Sequence, residues 1–163
     1  MEGRRKKMKQ DHRRKNTALI GIAGVHFVVG ELSQRGMIAL PTIRNTAGFD
    51  IIVASADGRK HANIQVKTSS KENPRYWLTP PSKKIRTGSH DHYIFVSLRN
   101  EKPHEFLLVK GKVVKEEVAR RERNTRPAVQ KGTRKEESHS FRVDQGNERK
   151  SEKWKEAWKR WKL

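Results

Sequence analysis

The chain has 163 residues, 38 of them Lys or Arg against 18 Asp or Glu, for a net charge of +20. Hydrophobic residues make up 33% of it and Cys is absent, which describes one modest globular domain with charged additions and excludes disulfide frameworks, Cys-based zinc sites and thiol nucleophiles. The longest apolar run, Ala18 to Gly30, is about 13 residues, short of the roughly 20 of a membrane span, so none is expected.

The basicity is concentrated at the ends: residues 1–16 carry +6, residues 17–109 carry +5 and residues 110–163 carry +9. A start such as Arg4-Arg5-Lys6-Lys7, followed by Arg13-Arg14-Lys15, cannot pack and repels itself. It reads as a flexible basic tail, 1–16, that contacts a polyanion with strong salt dependence; a solubility or ribosome-associated tail is the other reading. The order of basic segment then apolar run also belongs to a secretory signal. Here the run ends in Gly30-Glu31-Leu32-Ser33-Gln34-Arg35 without a small-x-small cleavage site, so a cytoplasmic location is expected.

From Asn16 or Thr17, either of which could cap it, the spacing predicts a helix to Gly36 with a stripe at Ala18, Ile22, Val25, Val29 and Leu32. Gly21, Gly24 and Gly30 are costly inside a helix and suggest close packing on a sheet. Three strands are predicted next, Met37 to Arg44, Phe49 to Ser55 and His61 to Thr68, the turns falling at 45–48 and at Asp57-Gly58. An irregular stretch, Lys71 to Ser89, contains the loop Pro80 to Arg86, whose Lys83, Lys84 and Arg86 could touch a nucleic-acid backbone. Strands at Tyr93 to Leu98 and Glu105 to Val109 precede a short helix, Val113 to Arg123, a long polar loop from Asn124 to Asn147, and a final helix, Glu148 to Leu163. Trp154, Trp158 and Trp161 recur there at helical spacing, which favours core packing over base stacking. The order describes an α/β domain over 17–163, a mixed five-stranded sheet flanked by helices.

Within the third strand, His61, Asn63, Gln65 and Lys67 share one face and Ala62, Ile64, Val66 and Thr68 the other. Four polar side chains on a central strand need partners. Asp50 on the preceding strand is placed by the hairpin near Gln65 and Lys67, and Glu31 projects from the first helix. Ser89-His90-Asp91-His92 sets two imidazoles at alternate positions, compatible with a transition metal or with a polar loop leading into the next strand.

Glu31 on a helix, Gly48-Phe49-Asp50-Ile51 at a strand start and Ile64-Gln65-Val66-Lys67-Thr68 in the next strand resemble the PD-(D/E)XK nuclease superfamily, nearest its archaeal Holliday-junction-resolvase branch, over residues 17 to about 110. The resemblance implies a restriction-endonuclease-like fold and a Mg²⁺- or Mn²⁺-dependent endonuclease acting on DNA, branched DNA included, rather than RNA. Asp50, Gln65, the Val66 backbone carbonyl and Glu31 would be metal ligands, oxygen donors suited to a hard cation. Lys67 would position water or hold the scissile phosphate. Nucleic acid would be the partner, membranes would not, and a homodimer would be the assembly, because resolvases cut two strands. Gln65 stands where the family usually has Glu and removes one negative charge. A binding protein on the same fold that has lost cleavage therefore stays open, as does a basic RNA- or ribosome-associated protein.

Overall fold

The computed structural model describes residues 2–43, 48–133, 138–143 and 148–163, with side chains from residue 17 onward in the first helix and from 151 onward in the last. Among the described residues, seven strands and three α-helices follow the order α1 (Glu2–Gln34), β1 (Ile38–Pro41), β2 (Ile51–Ala54), β3 (His61–Ser69), β4 (Tyr76–Leu78), β5 (Asp91–Ser97), β6 (Glu105–Lys110), α2 (Gly111–Gln130), β7 (Ser140–Arg142) and α3 (Glu148–Arg160). A 3₁₀ turn, Ser82–Lys84, sits between β4 and β5. Five strands form one mixed sheet in the order β1-β2-β3-β5-β6, with β3 and β5 parallel and the other neighbours antiparallel. The α/β sheet flanked by helices expected from the sequence is thus the architecture of the chain.

The hairpin turn between β2 and β3 forms at Asp57-Gly58: Ser55 Oγ donates to Asp57 Oδ1 at 2.6 Å and Gly58 adopts a φ of 71° that favours glycine. Alternation in β3 is as read, with Ala62, Ile64 and Val66 buried and Asn63, Gln65 and Lys67 half-buried. Ile64 and Val66 join Ile51, Val53, Ile94 and Val96 in a core under Val28 and Leu32 of α1 and Trp158 of α3. On the opposite face Tyr93, Phe95, Leu107 and Val109 pack with Val114 and Val118 of α2 and with Phe141 of β7. Trp158 stacks on Phe106 at 5.0 Å and Trp154 approaches Phe141 at 5.1 Å. The tryptophan stripe is therefore packing surface, bridging both layers at the β6 edge, which α3 covers.

Several elements depart from expectation. The helix begins at Glu2 rather than at Asn16 or Thr17, because residues 2–15 are mostly Lys, Arg, Met, Gln and Glu, strong helix formers with no breaker but Gly3. The segment expected as a flexible tail is therefore continuous with α1. The side chains of Arg4, Arg5, Lys6, Lys7, Arg13, Arg14 and Lys15, and the turn at 45–47, lie outside the described residues. Of the expected stripe Leu32 is buried, Val25 and Val29 pack half-buried against the core and Ile22 is exposed; Gly24 and Val28 complete the seat of α1 on the sheet. A Cβ at Gly24 would come within 1.8 Å of Thr68 Oγ1 on β3, so at this position the suspected close approach is real. By length and composition the stretch Thr17–Gln34 could cross a membrane; the apolar run alone understated its extent. The helix Val113 to Arg123 runs on to Gln130, and the stretch read as a polar loop contains β7, which pairs with β4 through Trp77 and Phe141.

Candidate active site

The β2–β3 pairing ends at Ile51 opposite Ile64, while β3 continues for five more residues. The gap beside Gln65, Val66 and Lys67 is the floor of an open cleft of about 440 Å³. Asp50, the residue immediately before β2, stands at its edge and is fixed from both sides. Its backbone N–H donates to the Ile64 carbonyl at 2.7 Å, and its own carbonyl accepts from the Thr42 N–H at 2.8 Å. Thr42 Oγ1 adds a bond to the Phe49 carbonyl at 3.0 Å.

With the backbone held, Asp50 Oδ2 accepts from the Val66 N–H at 2.7 Å and from Gln65 Nε2. The carboxylate thus takes the place that a continued β2 would fill in the ladder. Adjacent N–H and C=O groups of one strand residue point to the same side, so the Val66 carbonyl also faces this gap. Burial raises the pKa of Asp50, opposed by the Val66 N–H, the Lys67 charge and Gln65. Burial likewise lowers the Lys67 pKa, opposed by Asp50. The two oppositely charged groups are desolvated together, an arrangement common at functional sites.

Glu31 does not join them. It lies ten residues beyond Gly21, about 15 Å further along α1, where it pairs with Arg35 at 3.2 Å; Arg35 in turn donates to the Trp158 carbonyl and stacks on that ring. Through Arg35 it holds α1 against α3, and, contrary to expectation, it is not among the residues that line the cleft and could share a metal with Asp50. The helix wall of the cleft is made instead by Thr17, Gly21, Ile22, Val25 and His26, with Pro41 and Thr42 from the β1 end. Of these the sequence had drawn attention to Gly21, Ile22 and Val25 as packing residues and to Thr17 as a helix cap.

The donors present suit one hard cation: the Asp50 carboxylate, the Gln65 side-chain oxygen left over when Nε2 points at Asp50, and the Val66 carbonyl. They bring one negative charge, because Asp50 is the only acid among the described residues that line the cleft. Among the described residues no group of three or more His, Asp or Glu that could hold a metal gathers at the cleft or elsewhere. In the Ser89-His90-Asp91-His92 stretch, Asp91 accepts from Asn63 Nδ2 at 3.0 Å and from the Gly88 N–H at 2.9 Å, and His90 stacks on His61. These are structural ties rather than a ligand set. Lys83 and Lys84 are exposed on the 3₁₀ turn, whereas Arg86 pairs with Asp91 at 3.7 Å and lies over the Phe49 ring.

No family model matches the chain, and no curated protein matches it. Among solved structures it is similar to a Holliday junction resolvase from the archaeal hyperthermophile Archaeoglobus fulgidus, with a TM-score of 0.41 and 18% identity, over 56% of this chain and 73% of that one.

Proposed function

We propose that the chain is a restriction-endonuclease-like, Mg²⁺- or Mn²⁺-dependent endonuclease that hydrolyses phosphodiester bonds in DNA. The observation that carries this reading is the convergence of Asp50, Gln65, Val66 and Lys67 where β2 stops and β3 runs on. When bound, the cation would lower the pKa of a coordinated water and offset charge on the phosphoryl oxygens. Asp50, Gln65 Oε1 and the Val66 carbonyl are the residues to hold it. The two donors on Asp50 Oδ2 set the carboxylate's orientation in advance and leave Oδ1 for ligation. Lys67, desolvated beside Asp50, would donate to a non-bridging phosphate oxygen as charge builds there, where a low local dielectric makes that bond strong.

Asp50→Ala and Lys67→Ala should each lower Mg²⁺-dependent nicking of supercoiled plasmid on the order of a hundredfold, with the fold retained by circular dichroism. Undiminished nicking by purified Asp50→Ala would refute the assignment. The single acid among the described residues of the cleft favours a second reading, a DNA-binding protein on this fold without cleavage; parent protein that binds DNA but never nicks it, with either cation, would select that one.

A further inference from the structure

A second groove, about 570 Å³, adjoins the cleft. It shares Thr17, Gly21, Val66 and Lys67 with the cleft and continues past Lys71 and Arg75 to Tyr76 and Leu78 on β4. None of the described residues lining it is acidic. Strand β4 is firmly seated, since the intervening Trp77 is buried and its Nε1 donates to the Val96 carbonyl at 3.2 Å. Tyr76 and Leu78 flank this anchor and stay 44% and 74% exposed. The Arg142 guanidinium, from the paired strand β7, lies 5.6 Å from the Tyr76 ring centre. The groove therefore offers a rigid, partly open aromatic ring and an apolar neighbour, with cations between them and Lys67.

Gly21 lies where the two cavities meet, lining both of them. A Cβ there would meet nothing within 4 Å, in contrast to Gly24, so the position accepts alanine. A long side chain at Gly21 would enter the space at the junction beside Lys67.

We propose that this groove takes a single-stranded nucleotide segment leading away from the scissile phosphate, with phosphates along Lys71 and Arg75 and an unpaired base stacked on Tyr76. The inference rests on the nuclease reading for the position of the scissile phosphate. An intact duplex keeps its base faces stacked within the helix and has none to offer the ring, whereas an unpaired base stacks on aromatic side chains regardless of sequence.

The test is fluorescence anisotropy in EDTA at fixed salt, so that no strand is cut, with a blunt duplex and the same duplex carrying a single-stranded flank. Tyr76→Ala should weaken binding of the flanked duplex by between about fivefold and a hundredfold, the range for one base stack. The blunt duplex should bind as before, and Tyr76→Phe should retain the parent's preference for the flank. Gly21→Leu, which fills the junction, should lose that preference as well, while Gly21→Ala should melt higher than the parent and serves as the folding control. Equal losses for both DNAs, or none for either, in Tyr76→Ala would overturn the inference. The nuclease reading is scored separately by nicking: absent cleavage with a Tyr76-dependent flank preference leaves the groove and removes the enzyme. Normal cleavage without that preference does the reverse.

Discussion

Gln65→Glu tests the site at its most unusual position. In the parent, Gln65 Nε2 donates to Asp50 Oδ2; a glutamate replaces that donor with a second carboxylate. Losing a hydrogen bond to a charged acceptor costs about 1.5–3 kcal/mol. Two full charges 4 Å apart would repel by about 4 kcal/mol at an effective dielectric of 20, so near neutral pH the pair should avoid most of that by sharing a proton. At about 2–4 °C per kcal/mol for a chain this long, the variant in EDTA should melt about 3–12 °C below the parent. Mg²⁺ reverses the balance, because a second charged oxygen strengthens a hard-cation site and ligand at a hundred times its Kd adds about 2.7 kcal/mol. The measurement is melting temperature against Mg²⁺ concentration for both proteins. The variant's curve should start lower, rise more steeply and reach its half-effect at lower Mg²⁺; parallel curves would show that no cation binds against Gln65 and would remove the metal from the site.

Glu31→Gln should leave nicking within about twofold of the parent, since Glu31 contacts Arg35 rather than the cleft; a hundredfold loss would return it to the site. Gly24→Val should destabilise the fold by about 2 kcal/mol or more in urea titration, because the Cβ meets Thr68 on β3 and α1 must lift from the sheet; an unchanged midpoint would mean that α1 is not seated there. Glu122 is buried, which raises its pKa, but the Ser82 hydroxyl, the Ser82 N–H and His139 outweigh burial and hold it below its ordinary 4.5. A depressed folded pKa contributes stability that is present above the unfolded value and lost as pH falls through the folded one. Glu122→Gln should therefore cost ~2 kcal/mol near neutral pH and flatten the parent's loss of stability below about pH 4.5; identical slopes for both proteins in acid denaturation would refute this.

What the sequence determined by itself is local. The alternation from His61 to Thr68 could seat only one way, because a one-residue slip would bury Lys67 and Gln65 in the layer that Ile64 and Val66 fill. Asp57-Gly58 specified the hairpin, and the hairpin's register brought Asp50 beside Gln65 and Lys67. The tryptophans of α3 likewise declared a buried stripe. Tertiary structure decided the rest. The rotation of α1 about its axis was legible only in part: Val25, Val29 and Leu32 of the stripe meet the core, whereas the burial of Val28, the exposure of Ile22 and the clearance of Gly24 against Thr68 fix the face that seats on β3. That rotation, with the point along α1 where it crosses β3, sends Glu31 to Arg35 and lines the cleft with Gly21, Val25 and His26. Strand β7 was hidden because three residues in a polar stretch carry no periodic signal. It exists because Trp77 and Phe141, 64 positions apart, pair across β4 and β7 over one core, and that long-range contact also sets Tyr76 against Arg142.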